Sequence, residues 1–245
     1  LRQAGLHVPA QIKVETEQLA LEFLEQYHSV VVKPARGEQG AGISVDVSNA
    51  DALRAAIEEA RKFSDSVILE EFIDGDDLRI IVIGNEVVAA AIRKPAEITG
   101  NQKDTVKTLI EKKSRRRAAA TGGESRIPLD RETERCVSQA GYSLDSVLDE
   151  NQRLVVRKAA NLHTGGTIHD VTDSLHPTLR QAAIDAAQAI DIPVTGLDFI
   201  VPAVDQPEYA IIEANERPGL ANHEPQPTAE RFIDLLFPQT AAREA

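Results

Sequence analysis

Two short runs of apolar and β-branched residues near the C-terminal end have the composition of β-strands. They lie within residues 195–201 and 210–219, and a segment that begins and ends with proline, residues 202–207, separates them. Strand-like runs divided by a short proline-containing segment are typical of an antiparallel hairpin. The pattern therefore predicts that the chain turns at about residues 205–206 and that the two strands pair.

Polar groups interrupt this apolar hairpin at three positions. With such a turn, Asp198 lies opposite Glu213, and the period of two along a strand places Asn215 on the same face as Glu213. Carboxylates among apolar residues are costly to remove from water unless a cation accompanies them. Three oxygen ligands without a nearby cysteine suit Mg²⁺. The hairpin is therefore a predicted magnesium site, the alternative being acids that simply face solvent.

Apolar periodicity predicts helices and further strands along the rest of the chain. Cap residues and helical spacing indicate helices at residues 16–27, 48–63, 133–140, 177–190 and 228–237, the first two capped by Thr16 and Ser48. Apolar runs bounded by turn residues indicate strands at residues 67–73, 78–83, 86–93 and 153–156. The first part of the chain thus reads as a β-α-β-β unit whose sheet is mainly antiparallel.

A glycine-rich loop joins two predicted strands within residues 30–45. Its glycines at 37, 40 and 42 match neither the Walker A loop nor the Rossmann fingerprint, since the loop leads into a strand and lacks both spacings. A hairpin with a glycine tip can fold over phosphates and offer them backbone N–H groups. Lys33, at the end of the first strand, could reach the same phosphates. The alternative is an ordinary hairpin with a surface lysine.

Composition limits the class of protein. The chain has 245 residues, is 42% apolar and carries a formal charge of −12, which disfavours nucleic acid as a partner. No apolar run approaches the length that spans a membrane, so no membrane partner is expected. A single cysteine, Cys136, excludes an internal disulfide and favours a reducing, cytoplasmic location.

A basic run at residues 111–117 stands out against this acidic background. Such a run can indicate nucleic-acid binding, but the overall charge argues against it. We expect residues 101–124 to form a mobile loop that meets an anionic substrate, with solvated disorder as the alternative.

Motifs along the whole chain resemble those of ATP-grasp ligases. The resemblance is carried by Val32-Lys33-Pro34 before the glycine loop, by residues 70–75, by Asp198 with residues 213–215, and by the loop 161–170. It is closest to N-acetylglutaminylglutamine synthetases and next to cyanophycin synthetases. It implies an α+β fold of two subdomains whose mainly antiparallel sheets sandwich the nucleotide. Residues 1–92 would form the N-terminal subdomain, and residues 93–245 the C-terminal subdomain with the metal and substrate site.

The resemblance also implies the cofactors ATP and Mg²⁺ and a role for each matching residue. Lys33 would contact the nucleotide phosphates, under a loop shaped by Gly37, Gly40 and Gly42. Asp77 would accept hydrogen bonds from the ribose hydroxyls. The hinge strand, whose backbone would pair with the adenine edge, comprises Glu70, Glu71, Phe72 and Ile73. Asp198, Glu213 and Asn215 would hold the metal.

Cations and an amide complete the implied site. Guanidinium groups bind carboxylate and phosphoryl oxygens in a bidentate fork, as phosphoryl transfer to a carboxylate requires. Arg93, Arg157 and Asn161 are the candidates for this catalytic role, with Arg157 and Asn161 on the acyl-phosphate side. Taken singly, an arginine of this kind is more often a surface ion-pair partner, and that is the alternative for each of them.

The resemblance implies a carboxylate–amine ligase that forms a peptide bond through an acyl phosphate. N-acetylglutamine and glutamine are the expected substrates, and ADP and phosphate the released products. A cyanophycin-type ligase, a small-molecule kinase and a non-catalytic ATP-binding fragment are the alternatives. Full-length N-acetylglutaminylglutamine synthetases also carry an acetyltransferase portion. This sequence lacks that portion, so we expect it as a partner within a longer protein. Oligomeric state is left open.

Overall fold

Strands and helices are interspersed through the described part of the chain, which the computed structural model gives as residues 1–37, 40–223 and 225–239. The strands are β1 (Gln11–Lys13), β2 (Val30–Pro34), β3 (Ser44–Val47), β4 (Val67–Glu71), β5 (Asp76–Ile83), β6 (Glu86–Lys94), β7 (Glu97–Thr99), β8 (Arg153–Val155), β9 (Thr167–Asp170), β10 (Val194–Val201) and β11 (Ala210–Asn215). The helices are α1 (Glu17–Tyr27), α2 (Ala50–Arg61), α3 (Val106–Ala120), α4 (Arg131–Gln139), α5 (Pro177–Ala189) and α6 (Thr228–Leu236).

The chain forms two compact units, and each unit is built from segments that are not consecutive in the sequence. The three-segment unit consists of Leu1–Pro9, Ile73–Arg93 and Ile168–Ala245. The two-segment unit consists of Ala10–Phe72 and Lys94–Thr167. The predicted boundary between residues 92 and 93 lies beside one of the four passages from unit to unit. The other passages arise because β5 and β6 pair with strands from the end of the chain rather than with β1–β4.

A five-stranded sheet in the order β11-β10-β5-β6-β9 organises the three-segment unit. Its central strand β5 pairs antiparallel with β10 and with β6. Alternate β5 residues such as Ile80 and Val82 are buried with Leu179 and Ala183 of α5. The intervening Ile81 and Ile83 are buried in a second cluster, against which α6 packs. Because both faces are covered, β5 is an almost continuous apolar strand, so its charged first residues are conspicuous.

The two-segment unit begins with a four-stranded antiparallel sheet in the order β1-β4-β2-β3. Thr16 caps α1, as predicted, by accepting a hydrogen bond from the Leu19 N–H. Asn49 caps α2 through the Ala52 N–H, so the predicted cap Ser48 is wrong by one residue. The helices cover a core that includes Leu53 and Leu69.

The second segment of this unit contains α3, α4 and the two-stranded sheet β7–β8. The predicted loop at residues 101–124 is wrong over Val106–Ala120, which forms helix α3. Thr105 caps it by accepting from the Thr108 N–H, and Val106 and Ile110 are fully buried. The basic run therefore lies along a helix that is anchored by its own apolar side.

No helix among the described residues is long and apolar enough to cross a membrane.

Candidate functional site

The β10–β11 hairpin pairs Asp198 with Glu213 and Gly196 with Asn215. The predicted opposition of the two carboxylates is therefore confirmed. A register shift between Asp198 and Phe199 makes it possible, because Phe199 pairs with Ile211 and one residue of β11 is left over. Such a bulge changes the face on which the following side chains lie. Ile211 can thus join the core while Glu213 accompanies Asp198.

Asp198 is the buried centre of an ion-pair cluster in the three-segment unit. It is 2% exposed. Arg79 donates to it in a bidentate fork, from Nε to Oδ1 and from Nη2 to Oδ2, the second at 3.0 Å. Arg93 Nη2 lies 2.9 Å from Asp198 Oδ2 and 2.7 Å from Asp77 Oδ1. Two carboxylates and two guanidinium groups thus balance in charge, which lowers the cost of burying them.

Strand register explains why these four residues meet. Arg79 is paired with Asp198 across β5 and β10, and Asp77 with Arg93 across β5 and β6. Burial raises the pKa of Asp77 to about 6, although Arg93 opposes this shift. Burial alone would lower the pKa of Arg93, but Asp198 and Asp77 raise it above its ordinary value. The Arg93 guanidinium therefore stays charged at physiological pH.

In the two-segment unit, Lys33 is bonded to Glu70. Its Nζ donates to Glu70 Oε2 at 2.8 Å, and Gln11 Nε2 donates to the same oxygen. Glu70 is 3% exposed and lies on the central strand β4, whereas the Lys33 side chain is 22% exposed. The buried carboxylate thus holds an ammonium group that still reaches solvent. Contact of Lys33 with phosphate stays a prediction.

The residues predicted as the hinge lie at the end of β4. Strand β4 ends at Glu71, so the predicted strand is two residues too long. The N–H of Glu71 donates to Ala10 O at 2.9 Å, and the N–H of Phe72 donates to Ser29 O at 3.2 Å. Ile73 belongs to the three-segment unit. Pairing of this backbone with adenine stays a prediction.

The glycine loop and the loop after β8 meet within the two-segment unit. Gly40 and Gly42 have φ of +75° and +71°, a region that favours glycine. A Cβ at Gly40 would lie 3.3 Å from Asn161 Nδ2, and a Cβ at Gly42 would lie 2.5 Å from the Phe63 ring. Gly37 lies beside Pro34. Asn161 Oδ1 accepts from the His163 N–H at 2.8 Å, which fixes the amide beside the glycine loop.

Arg157 is buried beside α4. It is 3% exposed, and its Nη1 donates to Asp130 Oδ1 at 2.7 Å and to Thr133 Oγ1 at 2.9 Å. Its Nε is buried and has no hydrogen-bond partner. A buried guanidinium with unused donor capacity is unusual in a folded protein.

Comparison with protein families decides the assignment. Residues 2–141 match the family model described as D-ala D-ala ligase C-terminus, which is more than half of the chain. The chain belongs to this family of ATP-grasp ligases. The α+β ATP-grasp fold with antiparallel sheets, expected from the resemblance, is thereby confirmed.

Individual relatives agree with the ATP-grasp assignment. The chain is 34% identical over 232 residues to a cyanophycin synthetase from a Nostoc species, a match that covers 89% of this chain and 26% of the relative. It is 31% identical over 254 residues to a glutathione biosynthesis bifunctional protein from Listeria innocua, covering 97% of this chain and 33% of that protein. The crystal structure of a bifunctional glutathione synthetase from Pasteurella multocida superposes with a TM-score of 0.58 at 27% identity, over 97% of this chain and 35% of that one. The chain thus spans about a quarter to a third of the relatives' length.

The predicted metal ligands of this ATP-grasp chain fit Mg²⁺ by donor type. Among the described residues, no three side chains drawn from His, Cys, Asp and Glu form a metal-binding group, and the predicted set has two carboxylates and an amide. A carboxylate offers about four acceptor positions, of which Asp198 uses three for guanidinium donors. One position is left for a cation, and Glu213 beside it is exposed. Oxygen donors of this kind suit Mg²⁺.

Two neighbours of the metal strands were absent from the predicted site. Arg79 stands two residues after Asp77 in an apolar strand, and that spacing could have identified it as a partner of a buried acid. His223 is 5% exposed, and its Nδ1 has no hydrogen-bond partner. Burial, followed by the charges of Arg79 and Arg93, lowers its pKa to about 4. His223 is therefore a neutral imidazole near the ion-pair cluster, and no local sequence pattern indicates it.

Proposed function

We propose that the chain is the nucleotide- and metal-binding portion of an ATP-dependent carboxylate–amine ligase. The observation that carries the proposal is the pairing of Asp198 with Glu213 on a bulged hairpin beside two buried arginines, in a member of the ATP-grasp family. A cation-binding hairpin backed by guanidinium groups suits a reaction in which phosphoryl charge must be neutralised.

Most of the predicted site residues have a role in this proposal, and the backbone of Glu70, Glu71, Phe72 and Ile73 would pair with the adenine edge. Mg²⁺, held by Asp198, Glu213 and Asn215, would neutralise charge on the phosphate oxygens. Lys33 would bind the phosphates, with Glu70 fixing its position at 2.8 Å. The glycine loop would offer backbone N–H groups to the same oxygens. Asp77, next to Arg93, would accept hydrogen bonds from the ribose hydroxyls.

The reaction balances without a covalent enzyme intermediate. A carboxylate oxygen of the first substrate attacks the γ-phosphorus of ATP, and ADP leaves. The resulting acyl phosphate is attacked by the amine of the second substrate, phosphate leaves, and the amine nitrogen loses a proton as the amide forms. Arginine side chains stabilise the charge on the transferred group. We assign this role to Arg93 and Arg157. Asn161 would contact the acyl phosphate together with Arg157.

N-acetylglutamine and glutamine are our proposed substrates. Acetylation removes the α-ammonium of the first substrate, so its one charge is the carboxylate to be activated. Arg157, Asn161 and the polar backbone of residues 164–166 are suited in type to such a carboxylate and its neutral amides. The likeness to cyanophycin synthetase supports the same chemistry with aspartate peptides and arginine as the competing substrates.

Measurement of ADP release with mass spectrometry of the products tests the proposal. We expect release only when ATP, N-acetylglutamine and glutamine are all present, together with the mass of the acetylated dipeptide. Aspartyl–arginine products would favour the cyanophycin-type ligase, and a phosphorylated alcohol would favour a kinase. ATP binding without turnover for every substrate pair would leave only a nucleotide-binding module and would overturn the ligase proposal.

A further inference from the structure

A cavity of about 630 Å³ lies within the two-segment unit, on the side of the glycine loop that faces α2. Part of its lining is apolar and consists of Ile43, Ala52, Ala55 and the ring of Phe63. Its volume is in the range of cavities that hold small-molecule ligands. Lys33, Asp198 and Glu213 do not line this space, whereas Gly40, Gly42 and Arg157 of the proposed ligase site do.

Another part of the lining is charged, and most of its charges are paired with each other. Arg135 lies 2.8 Å from Glu132, and Arg157 lies 2.7 Å from Asp130. Arg131 reaches Glu59 at 3.9 Å. These three pairs neutralise six of the charged side chains that line the cavity.

Arg126 and Glu124 also line the cavity, but they are not part of these ion pairs. Among the described residues, the guanidinium of Arg126 and the carboxylate of Glu124 make no ion pair and no side-chain hydrogen bond, with each other or with a neighbour. Both are exposed. The cavity wall thus offers one unpaired positive group and one unpaired negative group, two residues apart on the same segment.

Arg157 provides a second, independent indication that the cavity receives an anionic group. It lines the cavity, is 3% exposed, and has a buried Nε without a partner. A buried donor without an acceptor is costly, and a ligand carboxylate that draws the guanidinium toward it would remove that cost.

We propose that this cavity binds the amine substrate as a free α-amino acid, with its α-carboxylate at Arg126 and its α-ammonium at Glu124, beside the Arg157 guanidinium that is assigned to the acyl phosphate. A zwitterion matches one unpaired charge of each sign, which a simple anion or cation does not. The apolar part of the lining accommodates an uncharged side chain such as that of glutamine. The assignment to the amine substrate rests on the proposed ligase function.

The acetylated substrate is excluded from this position by the same chemistry. An N-acetyl amino acid has no ammonium group, so it leaves Glu124 facing an amide. The cavity therefore distinguishes the two substrates, which are otherwise closely similar. The first substrate would be selected by the carboxylate that is to be phosphorylated.

Binding measured without ATP tests the proposal. Titrations followed by calorimetry or protein-observed NMR would use glutamine, glutamine amide and N-acetylglutamine. We expect glutamine to bind best. Arg126→Gln should weaken glutamine about tenfold, the factor of one charge-assisted hydrogen bond, and leave glutamine amide unchanged. Glu124→Gln should weaken glutamine and leave N-acetylglutamine unchanged.

The exposed Arg61 at the end of α2 provides the matched control, because Arg61→Gln removes the same charge outside the cavity. It should leave all three affinities unchanged. Absence of glutamine binding, equal affinity for glutamine and N-acetylglutamine, or an unaffected Arg126→Gln protein would each overturn the cavity assignment. If the chain binds glutamine in the expected pattern but never releases ADP, the cavity assignment stands and the ligase proposal falls.

Discussion

At the scale of single residues, two of the partners of Asp198, Glu213 and Arg79, differ in how far the sequence predicts them. The sequence predicts Glu213, because the period of two and the proline-containing turn set the register of a local hairpin. It does not predict Arg79, since 119 positions separate that arginine from Asp198 and only the β5–β10 pairing brings them together. The bulge that re-aims Glu213 was equally beyond a simple alternating pattern.

The first prediction concerns Glu213. Glu213→Gln removes a negative charge from the proposed metal site and barely changes the shape of an exposed side chain. We expect the rate of ADP release to fall by at least about 10²-fold, because a metal ligand contributes several kcal/mol to the transition state. Circular dichroism and the thermal unfolding midpoint should be unchanged. A variant that keeps near-normal turnover would remove Glu213 from the metal site.

A second prediction concerns His223 and pH. The folded chain keeps this imidazole neutral down to about pH 4, whereas the ordinary histidine pKa is 6.5. Between about pH 6.5 and pH 4 the imidazole is protonated in the unfolded chain but not in the folded chain. The free energy of unfolding therefore falls as pH is lowered through this range. The loss should reach about 3 kcal/mol. Urea unfolding at pH 7, 5.5 and 4 would measure it.

His223→Gln serves as the comparison for that experiment. It has no titrating group at this position, so its stability should decline less than that of the unmodified chain between pH 7 and 4. Parallel declines of the two proteins would show that His223 is not buried in neutral form.

At the scale of elements, helix α3 is where the sequence-based prediction and the structure differ, because residues predicted to form a loop form a helix. Its basic residues suggested a loop, because a run of like charges in isolation repels itself. Val106, Leu109 and Ile110 are spaced for one buried face, and that spacing was a better indicator than the charges that follow. The helix persists because this short apolar stripe packs on β7 and β8 in the same core.

The cap of α3 allows a direct test of its helical state. Thr105→Ala removes the hydroxyl that accepts from the Thr108 N–H, and we expect a loss of about 1 kcal/mol in the free energy of unfolding. Thr178→Ala is the matched control, because Thr178 is exposed in the first turn of α5 and its hydroxyl caps nothing. If both substitutions had the same effect in urea unfolding, the Thr105 cap would contribute nothing.

At the scale of the whole molecule, the long-range motifs indicated the family and the fold correctly, and the order of strands did not follow from them. Local alternation identifies β5 as a strand, but its neighbours β10 and β6 come from distant and adjacent parts of the chain. Each unit also has its own core, around Phe199 in one and Leu69 in the other. Sequence pattern identifies such residues as buried without saying which of them share a core.

Net charge gives a prediction at this scale. With a formal charge of −12, the chain should not bind polyanions, although α3 contributes five basic side chains within residues 112–117. We expect passage through a heparin column at about 0.15 M salt without retention, since at that ionic strength a local basic patch acts over only about 8 Å. Retention that disappears in a variant with Arg115 and Arg116 replaced by glutamine would identify α3 as an anion-binding surface.

The interleaving of the two units has a consequence for synthesis on the ribosome. Strands β5 and β6 emerge early, but β10, the second partner of β5, begins at Val194, more than a hundred residues after β5 ends. Until then β5 has one bare edge, the kind of strand edge that pairs with foreign chains. One edge of the β5–β6 hairpin must therefore stay unpaired in the nascent polypeptide while residues 95–193 are translated. Slow translation of that stretch, or a chaperone that shields the unpaired edge, should decide how much of the chain reaches its native state.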